Sequence, residues 1–274
     1  MGDTAWKSWD DPLSEGRFFG RNLEETNHNK LKYFENALMR QTAVVLEHVR
    51  DLEARRFLQH GFLIRHMMMQ RSRLEVREQT IERTEPLEPY LAAHLATHLN
   101  AYYLNLVGAL DNLAWAAAFE LHLQDSLSQK SWESRKFCTI ASKDFRQALE
   151  IERPVLRESI SRAVLWVAEL KELRDPAAHR LPLTLVSAIL TTDDQAAFDD
   201  LTREATEAVT AGNLDLWNEL MWKRAQLGRF APILSSPQAS DGSLILAPNQ
   251  IAVDQERFVR FASEFVEVVF DAVG

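Results

Sequence analysis

The segment from Pro89 to about residue 123 most constrains what this 274-residue chain can fold into. Two prolines, Pro86 and Pro89, precede a long helical pattern. Apolar side chains then occur nearly all the way round that helix: Leu91, Leu95, Leu99, Tyr102, Leu106, Leu110, Leu113 and Trp115. Because a helix that is apolar on every side must be covered by other elements, we predict a helical bundle with this helix at its centre.

Helix-type periodicity also covers residues 23–83 and 143–174. The first of these segments is rich in charge and is expected to break near Gly61. The second contains Pro154, which is expected to mark its start or a kink, because proline removes a backbone donor. With nine glycines and nine prolines in the whole chain, these long periods predict an all-α fold.

The C-terminal third is expected to add helices and a small β-hairpin. Residues 181–186 read as a short extended piece, and residues 191–227 as two helices with Asp193 and Asp194 as capping candidates. Turn residues between positions 233–234 and 244–246 predict the hairpin. A last amphipathic helix is indicated by a stripe of apolar residues: Phe258, Phe261, Phe265, Val268 and Val269. We predict one helical domain over residues 1–274.

The net charge of −9 argues against a broad, nonspecific nucleic-acid surface. Six arginines and one acid between Arg55 and Arg77 nevertheless create a local positive excess. Within it, Arg71, Arg73 and Arg77 are candidates for contacting RNA. An acidic protein partner and an ordinary solvated helix face are the alternatives for this stretch.

Cys138 is the single cysteine, which excludes an internal disulfide and any multi-cysteine metal site and fits a reducing compartment. The first residues do not resemble a signal peptide. No uncharged apolar run reaches the roughly 18 residues that a membrane span requires. We therefore expect a soluble cytoplasmic protein without a membrane partner.

His94 and His98 have the four-residue spacing of a metal pair on one helix face. The intervening residues lack the glutamate of a zinc protease, and the sequence indicates no third ligand. Histidines of a helix surface or core are the favoured interpretation, so no metal and no cofactor are expected.

A different pattern leads to a candidate site. Apolar residues recur at steps of four, three, four and three, the spacing of one buried helix face: Leu156, Ile160, Ala163, Val167 and Leu170. Arg174 takes the next position on that stripe. Asp175 and Pro176 are then predicted to end the helix, with His179 in the following turn. A guanidinium and an imidazole held at the end of a core helix suggest a site for a phosphate and a proton.

Arg174, four residues and His179, with the polar Asp175 directly after the arginine, resemble the signature of the HEPN superfamily. Residues 102–115 and 172–183 are similar to bacterial HEPN-like proteins, and the resemblance covers about residues 87–185. Residues 1–86 are then an N-terminal helical extension, and residues 186–274 form C-terminal helices with the hairpin.

The resemblance implies an all-α HEPN-like bundle, a homodimer and a metal-independent endoribonuclease. In that interpretation His179 is the general base or acid, Arg174 clamps the phosphate, Asp175 orients either of them, and Arg180 adds a phosphate contact. Two motifs meet across a dimer to form one composite site that cleaves an RNA substrate. The resemblance also implies a toxin or antiviral defence effector, with a protein partner in a toxin–antitoxin or defence complex.

Three polar residues in the apolar central helix are expected to support the site: Asn105, Asp111 and Asn112. A buried carboxylate needs a partner, and Arg174 or His179 is a natural one for Asp111. The alternative is a structural Arg174–Asp175 pair in a noncatalytic HEPN-like interaction or scaffold protein of a larger complex. Catalysis predicts that Arg174 and His179 reach a solvent-filled cleft, whereas the scaffold alternative predicts that both are sealed in the core.

Overall fold

The computed structural model describes the backbone of residues 21–123, 138–179, 181–235 and 245–271. The chain is predominantly helical with one small antiparallel sheet, which confirms the predicted fold class. The helices are α1 (Arg21–Leu46), α2 (Leu52–Arg56), α3 (Leu63–Thr80), α4 (Pro89–Glu120), α5 (Lys143–Glu152), α6 (Arg157–His179), α7 (Thr192–Thr210), α8 (Leu214–Ala225) and α9 (Ala247–Val266). None of the helices in these ranges is long and apolar enough to cross a bilayer.

Helix α4 lies at the centre of the bundle, as its composition predicts. Pro89 occupies its first turn, where the missing N–H costs nothing because that group has no helical acceptor. Helices α2, α3, α6 and α9 all pack against α4. Side chains on several sides of α4 are therefore buried, including Leu95, Tyr102 and Leu110.

The charge-rich N-terminal segment is interrupted once, between α1 and α2, whereas near Gly61, where a break is expected, the backbone stays helical. Helix α1 ends at Leu46, and α2 begins after Asp51, whose carboxylate accepts a hydrogen bond from the Ala54 amide. Gly61 lies in a π-helical segment, Phe57–Phe62, that joins α2 to α3. A Cβ atom at Gly61 would lie 2.6 Å from the Asn112 Cγ atom of α4. The glycine therefore permits the close approach of this segment to α4.

Pro154 separates α5 from α6 through a short 3₁₀ turn, Pro154–Leu156, as expected. The predicted helix end at Asp175 and Pro176 is wrong, because α6 continues to His179. The buried residues from Leu156 to Leu170 hold α6 against the core. Pro176 falls in the last turn of the helix, where it removes only one backbone hydrogen bond, and that loss does not end the helix.

In the C-terminal third, Thr191 rather than Asp193 caps α7, in a capping box with Asp194. The sheet pairs β1 (Thr184–Leu185) with β2 (Leu234–Ser235). An isolated antiparallel bridge between Ile233 and Leu246 joins the two segments of the predicted hairpin. Four of the five apolar residues that predicted the last helix are fully buried: Phe258, Phe261, Phe265 and Val269. The fifth, Val268, is partly buried and packs against the core.

Candidate functional site

Arg174 ends the buried stripe of α6, and its side chain is 27% exposed. Its Nη1 atom lies 3.0 Å from the Asp175 Oδ1 atom, and the Asp175 side chain is 55% exposed. The guanidinium is therefore reached by solvent while one carboxylate partly neutralises it.

The His179 backbone belongs to α6, whereas the His179 side chain and Arg180 lie outside the described residues. Successive residues of an α-helix are about 100° apart, so positions 174 and 179 are separated by about 140°. The backbone at position 179 falls at nearly the same angle around α6 as position 172, two turns earlier. Arg174 and position 179 thus belong to different faces of one helix.

The positive charge of Arg174 acts on the Asp111 carboxylate of α4. Arg174 is a partner that the sequence predicts for Asp111. Burial raises the pKa of Asp111, and a side-chain hydrogen bond with Thr139 and the positive charge of Arg174 oppose this effect. Lys171 and Arg65 lower the pKa further, in that order. Asp111 and these three cations of α3 and α6 form a cluster, in which Asp175 is a second acidic side chain through its ion pair with Arg174.

The sequence placed neither Lys171 nor Arg65, an arginine of the basic stretch, beside Asp111. The Arg65 Nη1 atom donates a hydrogen bond of 3.1 Å to the Asn105 side-chain oxygen. A Cβ atom at Gly108 would lie 2.6 Å from the Arg65 Cζ atom, so the glycine makes room for the guanidinium along α4. Asn105 therefore holds Arg65, and the contact joins positions 40 residues apart that no local pattern connects.

Asn112 faces away from this cluster and lines an open cleft of about 720 Å³ together with Arg56, His60 and Gly61. Aromatic rings form one wall of the cleft. The ring centroids of Phe57 and Trp115 are 5.6 Å apart, and those of Trp115 and Phe119 are 5.8 Å apart. The cleft thus combines flat apolar surfaces with a guanidinium and an imidazole.

Arg73 does not belong to an exposed basic surface, which corrects its assignment as an RNA-contacting residue. Its side chain is 6% exposed and forms a two-pronged ion pair with Glu35, with distances of 2.9 and 3.1 Å. Burial raises the pKa of Glu35 and the charge of Arg73 opposes this. Because Arg73 is committed to Glu35, only Arg71 and Arg77 remain candidates for RNA contact.

Glu75 of α3 joins His94 and His98 of α4 in a group whose ligand atoms all lie within 4.8 Å of one another. The two imidazole centroids are 4.6 Å apart, and His94 Nε2 lies 3.5 Å from Glu75 Oε2. Burial lowers the pKa of His98, and the charges of His94 and Arg71 lower it further. The charge of Glu75 acts in the opposite direction and raises this pKa. The sequence could not supply this third ligand, because it comes from another helix.

Comparison of the chain with protein-family models, with curated proteins and with solved structures finds no match. A function for this chain is therefore supported by the site residues described above and by the resemblance of residues 102–115 and 172–183 to HEPN proteins.

Proposed function

We propose that this chain is a metal-independent endoribonuclease of the HEPN type. The observation that carries the proposal is Arg174, whose side chain is partly exposed at the end of the buried stripe of α6, on a helix that packs against the Asp111 helix α4. Arg174 and Asp111 belong to the two separate segments that resemble HEPN proteins, and the positive charge of Arg174 lowers the pKa of Asp111. Arg65 and Lys171 add positive charge beside them, which suits the binding of a phosphodiester.

In the proposed reaction Arg174 holds the non-bridging oxygens of the scissile phosphate with paired donors. His179 takes the proton of the ribose 2′-hydroxyl, whose oxygen then attacks phosphorus. The bond to the 5′-oxygen breaks, and that oxygen receives a proton from a second acid. The products are a 2′,3′-cyclic phosphate and a 5′-hydroxyl, so no metal or redox partner is needed.

A homodimer accounts for the separation of Arg174 and position 179 on different faces of α6. In a composite site the His179 of one protomer acts with the Arg174 of its partner, and two histidines provide both base and acid. Leu165 lies on the same side of α6 as position 179, and it is 71% exposed. A second copy packed on this face would cover that apolar side chain.

The aromatic cleft supports an RNA substrate independently of the motif. Single-stranded RNA bases stack on aromatic rings, and such stacking contributes roughly 1–3 kcal/mol per base. Trp115 and Phe57 offer such a surface, and Arg56 lies beside it, paired with Glu53 of the same cleft. A toxin or antiviral defence role in the cytoplasm, with an inhibitory or activating protein partner, is part of this proposal.

A noncatalytic HEPN-like interaction or scaffold protein is the second candidate. The ion pair between Arg174 and Asp175 favours it, since a guanidinium already held by a carboxylate can serve the fold alone. In this case RNA or a protein binds without being cleaved.

The test compares the wild-type chain with His179→Ala and Arg174→Ala on purified tRNA and messenger RNA in the presence of EDTA. His179→Ala removes the general base, which costs about 100-fold or more. Arg174→Ala removes the paired donors that hold the phosphate. Both variants should therefore lose cleavage while wild type remains active. His48→Ala, at an exposed histidine at the end of α1, is the matched control and should cleave normally. Equal cleavage by wild type and His179→Ala would refute catalysis by this motif. RNA binding without cleavage by wild type would establish the scaffold candidate.

A further inference from the structure

We propose that Glu75, His94 and His98 bind one divalent transition-metal ion of the zinc class between α3 and α4. This site is separate from the RNA chemistry proposed above, which uses other residues and no metal.

The arrangement of the three side chains fits such an ion. His94 and His98 are one helical turn apart, and Glu75 approaches them from α3. Tetrahedral zinc with bonds of about 2.0–2.2 Å holds its ligand atoms roughly 3.3–3.6 Å apart. The separation of 3.5 Å between His94 Nε2 and Glu75 Oε2 already falls in this range. The His94 side chain is 41% exposed, so it can rotate to close the remaining distances without disturbing the core.

Arg71 prepares the carboxylate for this role. It forms an ion pair with the Oε1 atom of Glu75, which leaves Oε2 directed toward His94. Contacts of this kind from a second residue orient a metal ligand and raise its affinity. The Arg71 side chain is 70% exposed, and water therefore screens its repulsion of a bound cation.

The chemistry of the ligands selects the kind of ion. Two imidazoles and one carboxylate suit zinc, cobalt or nickel, whereas magnesium and calcium prefer oxygen ligands alone. Three protein ligands leave a further coordination position for water, which distinguishes this site from a closed structural zinc site. Because the His94 side chain is 41% exposed, water can reach an ion bound there.

The experiment is a titration of the full chain with Co²⁺, followed by its visible d–d absorption and by displacement with Zn²⁺. We expect one ion per chain and an absorption typical of nitrogen and oxygen ligands. The variants His94→Gln, His98→Gln and Glu75→Gln should each weaken binding at least about 100-fold, since loss of a supporting residue alone costs roughly 10–100-fold. His48→Gln is the matched control and should bind as wild type does.

Circular dichroism of each variant verifies that the helices are retained, and the three ligand variants allow the conclusion to stand if one of them misfolds. Arg71→Gln keeps all three ligands and should retain the cobalt spectrum. Absence of binding by wild type, or equal binding by wild type and all folded ligand variants, would overturn the proposal. Cleavage of RNA that EDTA abolishes would refute the metal-independent function, while leaving this metal site standing.

Discussion

Two buried ionisable residues should give the folded chain opposing pH dependences that nearly cancel. His66 is fully buried between the rings of Phe62 and Phe258. Neither of its ring nitrogens has a hydrogen-bond partner among the described residues. Asp254 is also buried, but it accepts hydrogen bonds from Trp166 and Gln250, at 2.9 and 3.1 Å.

Burial lowers the pKa of His66 from 6.5 to about 4, and the charge of Arg73 adds to this effect. The unfolded chain therefore binds the His66 proton more tightly. His66 stabilises the fold above pH 6.5, and this contribution is lost as the pH falls toward 4. At about 1.4 kcal/mol per pKa unit the change amounts to about 3 kcal/mol.

Asp254 acts in the other direction. Burial raises its pKa from 3.8 to about 6, although the hydrogen bonds from Trp166 and Gln250 oppose the shift. The folded chain then binds the Asp254 proton more tightly than the unfolded chain does. Its contribution to stability is fully present below pH 3.8 and is lost as the pH rises through 6, again by about 3 kcal/mol.

The perturbations are Asp254→Asn and His66→Leu, each measured by urea unfolding between pH 4 and 7. The free energy of unfolding of Asp254→Asn, relative to wild type, should rise by about 2 kcal/mol from pH 4 to 6. That of His66→Leu should fall by about 3 kcal/mol from pH 4 to 6.5. Constant offsets from altered packing do not affect these slopes. Two variants whose stabilities run parallel to wild type at every pH would refute the reasoning.

Three further changes test other parts of the structure. Arg73→Met should lower the free energy of unfolding, measured in urea, by about 3–5 kcal/mol, because it leaves Glu35 buried without the arginine of its ion pair. The double variant Arg73→Met with Glu35→Leu should recover most of that loss. Arg71→Glu with Arg77→Glu should weaken RNA binding and flatten its salt dependence, and unchanged affinity and slope in filter binding would leave this stretch as ordinary surface. Leu165→Glu should convert the proposed dimer to a monomer and abolish cleavage, whereas Trp222→Glu, at a residue 65% exposed on α8, should do neither. Light scattering that finds only active monomer at micromolar concentration in wild type would contradict the dimer.

Local periodicity was sufficient to predict the main elements. The apolar circumference of α4 requires a central position, and the stripe from Leu156 to Leu170 requires one buried face of α6. Arg174 at the end of that stripe follows from the same spacing, which explains why its partly buried position could be predicted. These features depend on residues within a few turns of one another, so the sequence carries them directly.

Contacts between distant segments were decided only by the tertiary structure. Arg73 is buried because Glu35, 38 residues away, meets it, and nothing in the charge of the local sequence distinguishes Arg73 from Arg71. Glu75 completes the histidine pair only because α3 packs beside α4. Pro176 likewise lies inside α6, although a proline locally disfavours helix at the residue before it. Burial and ion pairing depend on which helices pack together. The apolar pattern of one helix does not specify which helices pack against it.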